Sequence, residues 1–188
     1  PDELHHAFQF RLLKSDWDAA SFADTVDEAL TAFEAVGAPA PWVLGNHDKA
    51  RQVTRYGSVR RARAAALLML ALPGSAYLYQ GEELGLPEHT TMPNEARQDP
   101  MFRRTNGEQK GRDGCRVPIP WQSDAPSYGF GPTNASWLPQ PAIWADYALD
   151  RQRGVPDSTY EMYRAALRLR AQQGLGAGSL TWTEGPDG

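Results

Sequence analysis

The sequence predicts an α/β fold with parallel strands and helices packed outside them. Two observations carry that expectation. Short apolar runs alternate with segments of helical period, in the order strand, helix, strand, helix, strand. The periodic segments also open on capping residues and close on Gly or Pro. Hydrophobic residues make up 41% of the 188, enough for a real core in a chain of one-domain length.

The elements follow in order. Leu4 to Phe10, "LHHAFQF", reads as a strand. Ser21 is placed to cap a helix whose inner face is Phe22, Val26, Leu30 and Phe33, and Gly37 with Pro39 stops it. Trp42 to Gly45 reads as the next strand. Ser58 caps a second helix running to Leu72, where Pro73-Gly74 ends it. Ala76 to Tyr79 is a further short strand. From Gly81 to Gly154 the periodicity dissolves into Pro, Gly, Asn, Asp and Trp. A loop of that length is functional or carries small elements of its own. Order returns with a capping box, Ser158 to Glu161, opening a helix with Tyr160, Tyr163, Leu167 and Arg170 that Gly174 closes.

Composition narrows the functional classes. A net charge of −4 argues against a nucleic-acid partner. The lone Cys115 makes no internal disulfide, which suits a reducing compartment and makes a cytoplasmic location the expectation. "RRARAAALLMLALPGSA" has the layout of a signal peptide but lies mid-chain. Its apolar stretch, Ala64 to Leu72, is far shorter than the roughly 20 residues of a membrane span, so it reads as a buried helix and no membrane partner is expected. The chain opens on "PDEL" without Met and closes on turn residues, and it reads as a piece of a longer protein.

Candidate chemistry sits at the strand ends, where α/β folds bind ligands. Asn46-His47-Asp48 follows one apolar run and Gln80-Gly81-Glu82-Glu83 the other. Asp48 reads either as a helix cap or Asx-turn residue or as a group facing a ligand. Glu82 and Glu83 read either as first-turn acids of a helix or as site residues. His5, His6, His47 and His89 form no metal-ligand pair, and no metal or cofactor is expected. In "KGRDGCRVPIPW" the residues Arg112, Asp113 and Arg116 cluster. They suit a loop-holding Arg–Asp pair or a guanidinium grip on a ligand. Trp121, Tyr128, Phe130, Trp137, Trp144 and Tyr147 crowd the same stretch, as sugar-stacking faces or as a small core.

"PWVLGNHD", "RQVTRYG", "GSAYLYQGEELGLPE", "RQDP" and "GRDGCRVPIPW", in that order, resemble the α-amylase superfamily, most closely its bacterial α-glucosidases and oligo-1,6-glucosidases. The likeness spans residues 1 to 173. It implies the C-terminal portion of a (β/α)8 TIM barrel, about strands 6 to 8 with their helices. Leu4 to Phe10 resembles the sixth strand, Trp42 to Gly45 the seventh and Ala76 to Tyr79 the eighth. The segment 81–154 is then the loop after the eighth strand, and 174–188 the start of a C-terminal β-domain. The resemblance further implies retaining hydrolysis of α-glucosidic bonds in small oligosaccharides. Asp48 matches the family's transition-state-stabilising aspartate. His47 matches the histidine that grips sugar hydroxyls. Arg116, with Arg112 as the second candidate, matches the arginine holding the non-reducing end. The nucleophile and the acid/base of the family lie on earlier strands, so their partner is the missing N-terminal half of the barrel. The isolated chain is expected to be inactive. A non-catalytic amylase-fold binding protein, or a transglycosylating or isomerising relative acting on sucrose or trehalose, are the rival readings.

Overall fold

The computed structural model describes residues 7–183. Its centre is a parallel pair, β1 (Pro41–Val43) and β2 (Ser75–Tyr77). Pro41 lies opposite Ser75, Trp42 opposite Ala76 and Val43 opposite Tyr77. A parallel pair needs a crossover, and α3 (Gln52–Tyr56) with α4 (Val59–Ala71) supplies it. Two further helices complete the layer, α2 (Ala19–Glu34) before β1 and α7 (Thr159–Gln173) after the long loop. A short α1 (Arg11–Lys14) precedes them.

These helices form where apolar period and caps coincide. In α4 the buried residues Ala62, Ala65, Ala66, Met69 and Leu70 recur at three- and four-residue steps. Full burial of a side chain such as Met69 or Leu70 contributes about 1.5–3 kcal/mol. The Ser58 hydroxyl accepts from Arg61 N, as expected for its cap. The apolar stretch resembling a signal sequence is therefore core. No helix among the described residues is long and apolar enough to cross a membrane. In α2 the stripe of Phe22 and Val26 is buried, with Leu30 and Phe33 packed against it. Trp42, fully buried, ties β1 to the start of β2 by donating from Nε1 to Pro73 O. Gly174 closes α7 with φ +63, the left-handed geometry glycine adopts without cost.

Several expectations need correction. Asp18 caps α2, not Ser21; its Oδ2 accepts from Ser21 N, which places Ser21 inside the first turn. Of the proposed strand at Leu4 to Phe10, residues 1–6 lie outside the described residues, and 7–10 join no ladder. Their polar groups instead open α1: Gln9 Oε1 accepts from Arg11 N and Phe10 O from Lys14 N. Phe8 packs edge-on against Tyr77 at 4.8 Å between ring centroids, a side-chain contact without backbone pairing. Among the described residues two strands are formed, β1 and β2. The capping box of α7 is half made. Ser158 Oγ accepts from Glu161 N, but the Glu161 carboxylate turns to Gly154 N and Arg164. Of the residues singled out on this helix, Tyr163 is buried and Leu167 is exposed.

The long segment 81–154 carries elements of its own: helices α5 (Pro100–Arg104) and α6 (Leu149–Gln152) and short 3-10 turns. It also has a second core of Leu84, Leu86, Met92, Val117, Ile119, Leu138 and Trp144. Past α7 the described residues hold one more 3-10 turn, Leu175–Ala177, and no strand; 184–188 lie outside them.

Candidate active site

β1 ends in a tight approach. Glu82 lies so close to Gly45 that a Cβ there would sit 2.3 Å from Glu82 Oε1. Only glycine fits at that point without a shift, and the chain then turns outward. The Asx turn belongs to Asn46, whose Oδ1 accepts from Asp48 N at 2.9 Å. That releases the Asp48 carboxylate from the local role open to it in the sequence.

Asp48 is exposed, and three residues converge on its Oδ1. Arg112 Nη1 and Arg116 Nη2 each donate at 3.0 Å, and His47 Nε2 stands at 3.5 Å. Arg116 also donates from Nε to His47 O at 2.8 Å, which fixes it against the turn. Partial desolvation raises the Asp48 carboxyl, but the Arg112 hydrogen bond, the His47 and Arg112 charges and the Arg116 hydrogen bond outweigh it. The group is held below the usual carboxylate range, an anion at neutral pH. Oδ2 accepts no hydrogen bond among the described residues, so one lone-pair face is open to a ligand. The sequence-predicted residues Asp48, His47, Arg116 and Arg112 thus come together in one cluster.

A residue given no role in the sequence analysis holds that cluster. Asp99, buried, accepts from Arg112 N and Nε through Oδ2, at 2.8 and 2.6 Å, and from Arg112 Nη2 through Oδ1 at 3.2 Å. The Arg112 hydrogen bond dominates a strong depression of the Asp99 carboxyl pKa. Asp99 also caps α5 by accepting from Met101 N. Arg112 therefore pairs with Asp99, not with its neighbour Asp113. Asp113 Oδ2 instead accepts from Gln98 N and Asp99 N, at 2.9 Å each. "RQDP" and "GRDG" are one interlocked unit, and the motif spelling in the sequence was its only signal.

The second strand end is different. No helix follows Glu82 and Glu83; residues 80–85 form a turn, with Glu83 Oε2 accepting from Gly81 N. Glu82 is buried, and neither oxygen has a hydrogen-bond partner among the described residues. Burial pushes its carboxyl up to about 8 against the pull of Arg51. Arg51, also buried, donates to Gln80 O at 2.8 Å and Cys115 O at 3.0 Å. Burial raises the Cys115 thiol to about 11, which leaves it a poor nucleophile. Among the described residues no three of His, Cys, Asp and Glu stand together as metal ligands would.

Parallel strands joined by crossover helices, with a charged cluster at the C-terminal end of β1, are the arrangement expected of part of an α/β barrel, the class of fold that binds ligands at that end. The family model "Alpha amylase, catalytic domain" matches residues 3–178, and the chain belongs to that family. A probable alpha-glucosidase of Rhizobium meliloti is 33% identical over 97% of the chain and 34% of its own length. Maltase A1 of Drosophila melanogaster is 32% identical over 94% of the chain and 31% of its own. Among solved structures, the alpha-glucosyl transfer enzyme XgtA superposes with a TM-score of 0.80 at 36% identity, over 98% of the chain and 34% of its own length. A trehalulose synthase, MutB, follows at 0.74 and 25%, over 92% of the chain and 37% of its own. The chain spans about a third of the length of the curated relatives it matches.

Proposed function

We propose that the chain is the C-terminal portion of the catalytic barrel of a retaining, exo-acting α-glucosidase, with 174–188 opening a C-terminal β-domain. Its substrates are disaccharides and short oligosaccharides with α-1,4 or α-1,6 glucosidic bonds. The convergence of Arg112, Arg116 and His47 on one oxygen of Asp48 carries this reading. That arrangement orients a permanent anion and leaves its other oxygen to a ligand. An oxocarbenium-like transition state is stabilised by hydrogen bonds to the sugar 2-hydroxyl that tighten as charge develops. A preorganised carboxylate supplies them without reorganisation. In this reading Asp48 and His47 grip ring hydroxyls in the cleavage subsite. Arg116 holds the non-reducing end, with Arg112 positioning Asp48. The nucleophile and the acid/base come from the upstream half of the barrel.

Transfer to a sugar acceptor in place of water is the second reading, favoured by the likeness to XgtA and MutB. The acceptor is chosen by parts of the site upstream of this chain.

The test uses p-nitrophenyl α-glucoside. The 188-residue chain alone is expected to show no turnover. A protein that joins it to its upstream half releases α-glucose first, followed by NMR. Asp48→Asn in that protein lowers kcat by about 10²–10³-fold. Full activity in Asp48→Asn, or release of β-glucose first, rejects the proposal.

A further inference from the structure

The segment after β2 forms a second concavity that the Asp48 cluster does not use. It is an open cleft of about 560 Å³ lined by Gln98, Tyr128, Asn134, Ser136, Trp137 and Gln140, among others. Its volume lies within the roughly 300–1,000 Å³ of small-ligand sites.

The lining has a definite chemistry. No lining side chain is charged, which disfavours phosphates, nucleotides and carboxylic acids. Trp137 is 62% exposed and offers a broad aromatic face. Gln140 is anchored through Nε2 to Pro118 O at 3.0 Å, which leaves its Oε1 to accept. Aromatic faces bind the C–H side of a pyranose ring, and amides exchange hydrogen bonds with its hydroxyls.

The backbone beneath the cleft is held in an unusual shape. Ser127 and Tyr128 have φ of +45 and +49, a region costly for residues with a Cβ. Hydrogen bonds maintain it: Ser127 Oγ donates to Thr133 O at 2.6 Å, and Tyr128 O accepts from both Trp121 N and Gln122 N. Such over-determined strain is a mark of functional positions. Tyr128 itself is one of the residues lining the cleft. The cleft is also coupled to the cluster. Gln98 lines it, and Asp113 clamps Gln98 N together with Asp99 N, the residue that grips Arg112.

We propose that this cleft is a binding site for a neutral sugar unit, stacked on Trp137 and Tyr128 and hydrogen-bonded by Gln98, Asn134 and Gln140. That the sugar is the far end of an oligosaccharide substrate rests on the proposed function; that a sugar binds rests on the cleft alone.

Isothermal titration of the chain with maltotriose tests it. Saturable binding is expected, weakened about tenfold in Trp137→Ala. Asn134→Ala, an exposed rim position, gives a smaller loss of the same sign and serves where Trp137→Ala unfolds by circular dichroism. Absence of binding, or unchanged affinity in both cleft variants, overturns the proposal. The two readings fail separately. An Asp48→Asn enzyme with full α-glucosidase activity sinks the function, and maltotriose binding lost in Trp137→Ala still upholds the cleft.

Discussion

The two strand ends carry acids in the same sequence setting and in opposite physical states. After β1, Asp48 is exposed, bonded to two guanidinium groups and held anionic. After β2, Glu82 is buried, without a hydrogen-bond partner among the described residues, and its pKa rises to about 8. An acid that follows an apolar run is thus not a site by position alone. What separates the two is the turn. Asn46 takes over the local backbone bond and swings Asp48 outward, whereas the turn at 80–85 folds Glu82 back against Gly45.

The largest test of this contrast is pH. Glu82 rises from 4.5 to about 8 on folding, so between those values the folded chain keeps a proton that the unfolded chain has released. Stability from this group is whole below about pH 4.5, declines as pH rises and is lost once pH passes about 8. Urea unfolding across that window is expected to show a slope approaching about 1.4 kcal/mol per pH unit. Glu82→Gln removes the slope. An unchanged slope in that variant means the burial contrast is wrong.

Asp99 works in the other direction. Its carboxyl is held below its ordinary 3.8, led by the Arg112 hydrogen bond. Its contribution is present above about pH 3.8 and fades as pH falls. Asp99→Asn is expected to cost about 2 kcal/mol at neutral pH, below the full value of a buried pair because Arg112 is partly in water. It also loosens Arg112, so Asp48 titrates closer to its ordinary value, which carboxyl NMR reads directly. A melt unchanged from the parent chain dismisses Asp99 as the anchor.

The smallest effect is at the turn itself. Asn46→Ala removes the acceptor for Asp48 N and is expected to cost about 0.5–1 kcal/mol by denaturant unfolding. The acid is then free to make its own Asx turn. If the cluster binds sugar, ligand affinity drops more than stability does. Equal losses mean the turn serves the fold and not the site.

The sequence showed the parts whose physics is local. α2, α4 and α7 follow from apolar period, and Ser58 and Ser158 from cap chemistry. β1 and β2 follow from apolar runs bounded by turn residues. Asp48, His47, Arg112 and Arg116 were found by motif resemblance, and they meet in space. Partners across long separations were not readable. Arg112 and Asp99 join across a segment with no period, so Asp113, adjacent in sequence, looked the better partner. The start of α2 was misread because Asp18 and Ser21 are both good caps, and only the backbone turn decides between them. The burial of Glu82 depends on Gly45, Arg51 and the folded loop together, none of which marks the Glu82 position in the chain.

Arg51 reaches both Gln80 O and Cys115 O, the two ends of a long excursion of the chain. A single guanidinium thereby acts as a clasp at the mouth of a closed ring. The entropy of closing a flexible ring grows only logarithmically, about 0.6 kcal/mol for each doubling of length. Ring closure therefore sets little limit on insertions or deletions between the clasp points where they leave the Asp99 anchor and the buried Leu84, Leu86 and Met92 in place. The strand ends keep their geometry while the length of the chain above them is free to change.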